Sequence, residues 1–226
     1  MSDSIATRTL LLAVGCSAIV LSACSPATEP QAAPEGDASM AAAEQPMPMA
    51  RTPFSPAEMK MHEAMMAATG ASADETWARK MIPHHQGALD MSEIVLRDTQ
   101  DSEIRRMAQK TIEMQTQDIA ELRRWLETQA GATSDSAPPS GQGSPFASAE
   151  AKMNEAMMAA TGANTDQTWA RKMIAHHQGA LDMARVVLER SPGAEIERMA
   201  QKTVEMQTAD IGELQSWLQS NPGTPG

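Results

Sequence analysis

Cysteine is almost absent from this 226-residue chain, and its two cysteines, Cys16 and Cys24, both lie near the N-terminus. The apolar run TLLLAVGCSAIVLSA follows Arg8 and is too short for a comfortable membrane span, so it indicates an export signal. Cys16 would be removed with that signal. The mature protein would then have no free thiol and no internal disulfide, and soft-metal chemistry would depend on the sulfur of methionine.

The apolar run ends in Leu21-Ser22-Ala23-Cys24, which resembles a bacterial lipobox. In that interpretation Cys24 is lipidated and becomes the first mature residue, so the protein is expected in the bacterial periplasm, attached to a membrane by its lipid. The alternative is an ordinary signal peptide that is cleaved at the same small residues.

Positive charge and aromatic side chains are also scarce. The chain has 18 Lys and Arg against 29 Asp and Glu, a net charge of -11 and a sequence pI near 4.9. This argues against nucleic acid as a partner, because phosphate binding needs a basic surface. Aromatic residues make up 3% of the chain, with no Tyr, whereas there are 19 Met. This high methionine content suggests that the methionines do more than fill the core.

The chain contains two copies of one unit. The segment 54–129 aligns with 146–221 without gaps at an offset of 92, with 50 identities in 76 positions. Each copy alone would bury too little apolar surface, so we expect the two to pack as one bundle. The predicted divisions are a signal peptide at 1–23, a flexible Ala/Pro/Met tether at 24–52, repeat 1 at 53–130, a linker at 131–145, repeat 2 at 146–221 and a tail at 222–226.

Hydrophobic periodicity predicts only helices. Repeat 1 has a short helix over about 55–68, a long helix from after Ser72 to about Arg97, and a long helix over about 103–127. The spacing of Ser72 and Glu75 is that of a helix-capping box, and Asn164 and Gln167 have the same spacing in repeat 2. Pro83 lies inside the second helix and is expected to bend or loosen it. The sequence predicts an all-α, antiparallel four-helix bundle built from two repeats, each with two long helices preceded by a short one.

Four of the five histidines stand in two near-identical stretches, MIPHHQGALDM (81–91) and MIAHHQGALDM (173–183). Heptad spacing puts both histidines of each pair on or beside the apolar face, away from the side that carries Arg79 and Lys80. Neighbouring residues of a helix project about 100° apart, so one ion cannot easily bind both rings of a pair. We expect one ring to point to the bundle centre and the other towards the next helix.

Methionines flank each histidine pair at helical spacings that allow contact. Imidazole and thioether together suit Cu(I) or Ag(I) better than Zn(II) or Mg(II). The alternative is that the methionines fill the core and the histidines form ordinary buried hydrogen bonds. The candidate metal ligands are Met81, His84, His85, Met91, Met173, His176, His177 and Met183.

The other helices supply further candidates. On the third helix of each repeat, an amide or a carboxylate could accept the second N–H of a ligating ring; these residues are Gln115, Asp118, Gln207 and Asp210. A secondary set of candidate metal ligands comprises Met59, Met61, His62, Met66, Met114 and Met206. Taken alone, Met65, Met66, Met107 and Met199 are expected to be core residues. Met40, Met47 and Met49 of the tether are interpreted as a capture arm.

With its His-His motif, its Glu-x-x-Arg-Met-Ala-Gln stretch and its Met-Gln-Thr-x-Asp-Ile-x-Glu-Leu stretch, the chain resembles the bacterial secreted family called domain of unknown function 305. The resemblance covers both copies. It implies a ferritin-like bundle, usually with two repeats, and some members are similar to periplasmic copper-binding proteins that lower copper or silver toxicity. It also implies a metal-binding role for the eight candidate ligands of the two His-His stretches.

The leading interpretation is a lipid-anchored Cu(I)/Ag(I)-binding protein for copper buffering, delivery or tolerance, with no enzymatic activity. Its expected partners are the metal ion and a copper exporter or oxidase of the envelope. The first alternative is a non-metal interaction or structural bundle. The second is a ferritin-like di-metal oxidase, which typically needs Glu-x-x-His pairs that this sequence does not contain.

Overall fold

The computed structural model describes residues 51–130 and 143–222, so the predicted signal peptide, Cys24, Met40, Met47 and Met49 lie outside the described residues. Within these two ranges all regular secondary structure is helical. The helices are α1 (Ser55–Ala67), α2 (Ala73–Asp98), α3 (Ser102–Ala130), α4 (Ala147–Ala159), α5 (Thr165–Leu188) and α6 (Ala194–Ser220). None of the helices in the described ranges combines the length and hydropathy that a membrane crossing needs.

The long second helix of each repeat begins at the predicted cap. Ser72 Oγ accepts a hydrogen bond from the N–H of Glu75 at 3.0 Å, and Asn164 Oδ1 accepts one from the N–H of Gln167 at 2.8 Å. These bonds satisfy N–H groups that have no partner within the helix. Pro83 does not end α2, which continues to Asp98 as one helix.

The helices α2 and α5 are antiparallel, as contacts at both of their ends establish. Thr99, just beyond the C-terminus of α2, donates its hydroxyl to Asp166 in the first turn of α5 at 3.0 Å. The N–H of Gly193, which follows α5, donates to Asp74 in the first turn of α2 at 2.9 Å. Each helix end therefore meets the opposite end of its counterpart, as a pseudo-two-fold relation between the repeats requires.

Ion pairs between α3 and α6 have the same antiparallel order. Arg106 of α3 pairs with Glu213 at 3.0 Å, and Arg198 of α6 pairs with Glu121 at 2.6 Å. The two pairs are equivalent under the offset of 92. With α2 packed on α3, α5 on α6 and α2 on α5, the predicted all-α bundle of two repeats is confirmed.

Two buried lysines join the short helices to the opposite repeat. Lys172 of α5 binds Glu58 of α1 at 2.6 Å and the carbonyl of Met157 at 2.8 Å. Lys80 of α2 lies 2.7 Å from Glu150 Oε1 of α4, a charge contact whose angles are not those of a hydrogen bond. Lys80 is 2% exposed and Lys172 is 1% exposed, so the placement of Lys80 on the polar side of α2 was wrong. The two repeats thus share one interior.

The interior is filled largely by methionine and a few aromatic rings. Met65, Met107 and Met199 are buried, which confirms their prediction as core residues. Met66 is 60% exposed, so the same prediction for Met66 was wrong. The reason is helical phase: Met65 and Met66 project about 100° apart, and only one of them can face α2.

Candidate metal centre

The histidines His84 and His176 meet where α2 and α5 pack in the centre of the bundle. Their ring centroids are 3.7 Å apart with a tilt of 35°, and neither side chain is exposed to solvent. His84 Nε2 lies 3.1 Å from the backbone carbonyl of His176, and His176 Nε2 lies 2.9 Å from the carbonyl of His84. We call this reciprocal arrangement the histidine clasp.

The histidine clasp fixes which ring nitrogen carries the proton. A carbonyl oxygen can only accept, so both Nε2 atoms donate and both Nδ1 atoms keep a lone pair when the rings are neutral. Each of these two Nδ1 atoms is buried and has no hydrogen-bond partner. Unpartnered buried polar atoms are uncommon in proteins and call for a physical explanation. A bound cation is one explanation that suits an imidazole lone pair.

The second ring of each pair points away from the clasp. The ring centroids of His84 and His85 are 5.7 Å apart at 78°, and those of His176 and His177 are 5.7 Å apart at 73°. The expected divergence of adjacent rings is therefore confirmed. His177 Nδ1 donates to Gln207 Oε1 of α6 at 3.0 Å, and its Nε2 is buried without a partner.

The equivalent contact in repeat 1 is looser. Burial lowers the pKa of His85, and Gln115 only partly opposes this shift. Gln115 Oε1 and His85 Nδ1 are both buried without a hydrogen-bond partner, so the bond that His177 forms has no counterpart here. Asp118 and Asp210 pair with lysines instead, with Lys202 at 2.6 Å and Lys110 at 2.8 Å.

Burial keeps all four central histidines neutral. Desolvation lowers the pKa of His84 and of His176 well below 6.5, and neighbouring histidines lower both further. Desolvation lowers the pKa of His85 to about 4, although Asp118 opposes the shift. It also lowers the pKa of His177, against the opposing charge of Asp210. Neutral imidazole is the form that binds metal ions, so no proton competes for these rings at neutral pH.

The four methionines of the primary set are completely buried on the same two helices as the histidines, α2 and α5. Met81, Met91, Met173 and Met183 are 0% exposed and belong to the core. Met81 precedes His84 by three residues, and Met173 precedes His176 by three, which is a spacing at which helical side chains meet. The residues present thus combine neutral imidazoles with buried thioethers, a donor set that fits Cu(I) or Ag(I).

The secondary set is divided by the fold. Met61 enters the core and lies directly over Gly87, where an added Cβ would overlap its Sδ, and Met153 covers Gly179 in the same way. Met59 and Met66 are instead exposed on α1, with His62 partly exposed beside them. Met114 and Met206 are half-buried on α3 and α6. Met61 therefore does not share a face with the other candidates of its helix.

Over the described ranges, no three side chains among His, Cys, Asp and Glu are grouped so that they could hold one metal ion. The fold brings His84 and His176 together and sends His85 and His177 to opposite flanks. Sequence reasoning missed the carbonyl partners of the clasp and the buried Lys–Glu pairs. The pairs had a signal, because both repeats keep the lysine and the glutamate at identical positions, Lys80 with Lys172 and Glu58 with Glu150.

Solved structures with this fold include metal-bound proteins. The protein CopM has been crystallised in apo, Ag-bound, Cu(I)-bound and Cu(II)-bound forms. Its Cu(I)-bound form is 26% identical to this chain with a TM-score of 0.51, covering 66% of this chain and 98% of CopM. A DUF305 protein from Streptomyces coelicolor is 29% identical with a TM-score of 0.53, covering 70% of this chain and 99% of its own.

A DUF305 fragment from Deinococcus radiodurans, 23% identical with a TM-score of 0.51 over 68% of this chain and 98% of the fragment, shares the fold. Among curated proteins, none matches the sequence. The model of the family described as "Domain of unknown function (DUF305)" matches residues 22–126 and again 74–218, so the two matches together span residues 22–218. The chain belongs to the DUF305 family, with two copies of its unit.

Proposed function

We propose that this chain is a binding protein for Cu(I) or Ag(I), and that the histidine clasp with its buried methionines forms the binding centre. The observation that carries the proposal is the set of buried ring nitrogens with free lone pairs, Nδ1 of His84 and of His176. Both rings are neutral at physiological pH because burial lowers the pKa of each. A soft monovalent cation would supply the missing partner without burying a net charge of two.

The similarity to CopM supports the choice of metal. CopM structures in Cu(I)-, Cu(II)- and Ag-bound forms share this fold at 26–27% identity. Cu(I) and Ag(I) prefer thioether and imidazole donors, which α2 and α5 both carry in their buried faces. On this proposal Met81 and Met173 add sulfur donors to the rings that follow them, while Gln207 holds the tautomer of His177.

We further propose that the protein works outside the cytoplasm as a lipoprotein. Support comes from the apolar N-terminal run, from Cys24 at the end of it and from the Streptomyces relative, whose name describes secretion. A periplasmic protein without free thiols would buffer copper, or pass it to an exporter or oxidase of the envelope, through His and Met alone. The membrane would be contacted through the lipid, and the acidic surface would not attract nucleic acid.

The test is a titration of the purified chain with Cu(I), with Zn(II) as the comparison metal. We expect Cu(I) to bind more tightly than micromolar and to raise the thermal midpoint, because a ligand that binds only the folded state stabilises it. A variant with His84→Ala, His85→Ala, His176→Ala and His177→Ala should lose this binding. Equal Cu(I) affinity in the variant, or no binding tighter than micromolar, would overturn the proposal.

Because that variant also removes the clasp, a second measurement on the unchanged chain is needed. Long-range proton–nitrogen NMR spectra distinguish the two tautomers of each histidine. The apo protein should show Nε2–H rings for His84 and His176 and an Nδ1–H ring for His177. Cu(I) should shift the Nδ1 resonances of the clasp. Unchanged histidine resonances at saturating Cu(I) would contradict the assignment of the centre.

One observation favours the non-metal alternative. The reciprocal bonds of 3.1 and 2.9 Å already hold α2 against α5 through two donors and two backbone acceptors. If the histidines served only this purpose, the His→Ala variant would lose stability and copper would leave the wild-type midpoint unchanged.

We also propose that the protein is not an enzyme. In the described ranges the buried carboxylates are Asp118 and Glu150, each paired with a lysine, whereas a di-metal oxidase uses a cluster of carboxylates. Iron content after expression with iron, together with oxygen consumption, tests this directly. Stoichiometric iron and measurable oxygen uptake would contradict it.

A further inference from the structure

The exposed face of α1 carries a group of soft donor side chains that the buried centre does not use. Met59 is 69% exposed and Met66 is 60% exposed, and His62 lies between them on the same face. The three follow each other at spacings of three and four residues, so neighbours along the series meet on the helix surface. We call these three residues the α1 stripe.

Core packing cannot account for the α1 stripe. In the described part of the chain, the large hydrophobic side chains with high exposure are Met59, Met66 and Met158, and all three are methionine. The neighbouring methionines Met61 and Met65 supply the packing of α1 against the core, at 4% and 1% exposure. Exposed thioethers stabilise nothing in the fold, yet they are the donors that a soft cation prefers.

The two repeats provide an internal comparison. Helix α4 has the same length and position in its repeat as α1, but Ala151 and Asn154 replace Met59 and His62, and only Met158 remains. Both helices pack through the same buried positions. Met59 and His62 are therefore not required to build the helix, and they are present in one repeat alone.

We infer that the α1 stripe is a second, surface site for Cu(I) or Ag(I), independent of the buried centre. His62 would supply one nitrogen, and the flexible side chains of Met59 and Met66 would supply a sulfur from each side. Glu63 is exposed next to His62, and the chain carries a net charge of -11, which draws cations towards the surface. Since the site is exposed, it exchanges metal without any opening of the bundle.

The test uses the full chain, with carbon-13 in the methionine ε-methyl groups, titrated with Ag(I) as an air-stable probe. We expect the ε-methyl resonances of Met59 and Met66 to shift early in the titration. The variant Met59→Ala/His62→Asn reproduces the residues of repeat 2, so it should keep the helix content and thermal midpoint of the wild type. It should lose one bound equivalent of Ag(I) and the shift of the Met66 methyl.

The reciprocal variant Ala151→Met/Asn154→His places the stripe on α4 and should gain one equivalent, with a new shift at Met158. Equal Ag(I) stoichiometry in the wild type and both variants would overturn the inference, as would an unshifted Met66 methyl. These results are separable from those for the buried centre, because that centre is read through the histidine nitrogens and stays intact in both variants.

Discussion

The neutral, buried histidines predict that the metal-free protein loses stability steeply in mild acid. The pKa of His85 is lowered by burial from 6.5 to about 4 in the folded state. Between pH 6.5 and about pH 4, His85 is protonated in the unfolded chain but stays neutral in the folded chain. The free energy of unfolding therefore falls as the pH falls. The contribution is fully present above about pH 6.5, the ordinary pKa of histidine, and is lost on the way down to about pH 4.

The magnitude follows from the shift. One pKa unit corresponds to about 1.4 kcal/mol, so His85 alone contributes about 3.4 kcal/mol over its whole window. The pKa values of His84, His176 and His177 are lowered in the same direction, chiefly by burial. Four such groups give the free energy of unfolding a limiting slope of about 5.5 kcal/mol per pH unit. The total free energy of unfolding of a domain is only about 5–15 kcal/mol, so this slope is large.

The assay is urea unfolding of the metal-free chain at several pH values between about 7.5 and 5.0, monitored by circular dichroism. A Cu(I) chelator keeps the chain free of metal. The slope of unfolding free energy against pH counts the protons taken up, and we expect it to approach four below pH 6.5. The variant His62→Asn, which copies Asn154, removes the fifth histidine as a control. A slope equivalent to fewer than two protons would refute the placement of four neutral rings in the core.

Three further outcomes follow from other contacts. Gly87→Ala should destabilise the protein by about 1–3 kcal/mol in urea unfolding, because the new Cβ overlaps the side chain of Met61. In an open helix the same substitution is stabilising, so a gain in stability would contradict the packing of Met61 on Gly87. Lys172→Met should cost about 3–5 kcal/mol, because it leaves the largely buried Glu58 carboxylate, which is 13% exposed, without its partner. Adding Glu58→Gln should recover much of the loss, and no recovery would contradict the pair. Stopped-flow mixing of the wild type with Ag(I) should resolve a fast phase from the α1 stripe and a slower phase from the solvent-inaccessible clasp. The variant Met59→Ala/His62→Asn should lack the fast phase. A single fast phase in the wild type and in the variant would contradict the difference in exposure between the two places.

Much of the fold could be predicted because its signals are local. Ser72 and Asn164 cap their helices through contacts three residues away, and the hydrophobic period sets which face is buried. The divergence of His84 and His85 followed from helix geometry alone. These properties depend on a few neighbouring residues, so the sequence pattern contains them directly.

The remaining features depend on contacts between distant segments. Lys80 looked solvent-facing on its own helix, and only the approach of α4 supplies Glu150 and buries both groups. The phase of α1 decides that Met61 covers Gly87 while Met66 faces solvent, and a helix of mixed Ala and Met carries little periodic information about that choice. The backbone carbonyls that accept hydrogen bonds in the clasp could not be predicted from the sequence, because every residue has a carbonyl.

The pseudo-two-fold axis explains which positions the duplication has kept alike. A side chain close to the axis meets its own counterpart, as His84 meets His176, so a change in one repeat would unbalance a contact that needs both. In the stretches 81–91 and 173–183, only Pro83 and Ala175 differ. Residues far from the axis meet different neighbours and are free to change separately, as Met59 and His62 have done relative to their counterparts in α4. The central histidine pair is therefore an arrangement that both repeats complete, whereas Met59 and His62 of the α1 stripe belong to a single repeat, as a separate role for that stripe requires.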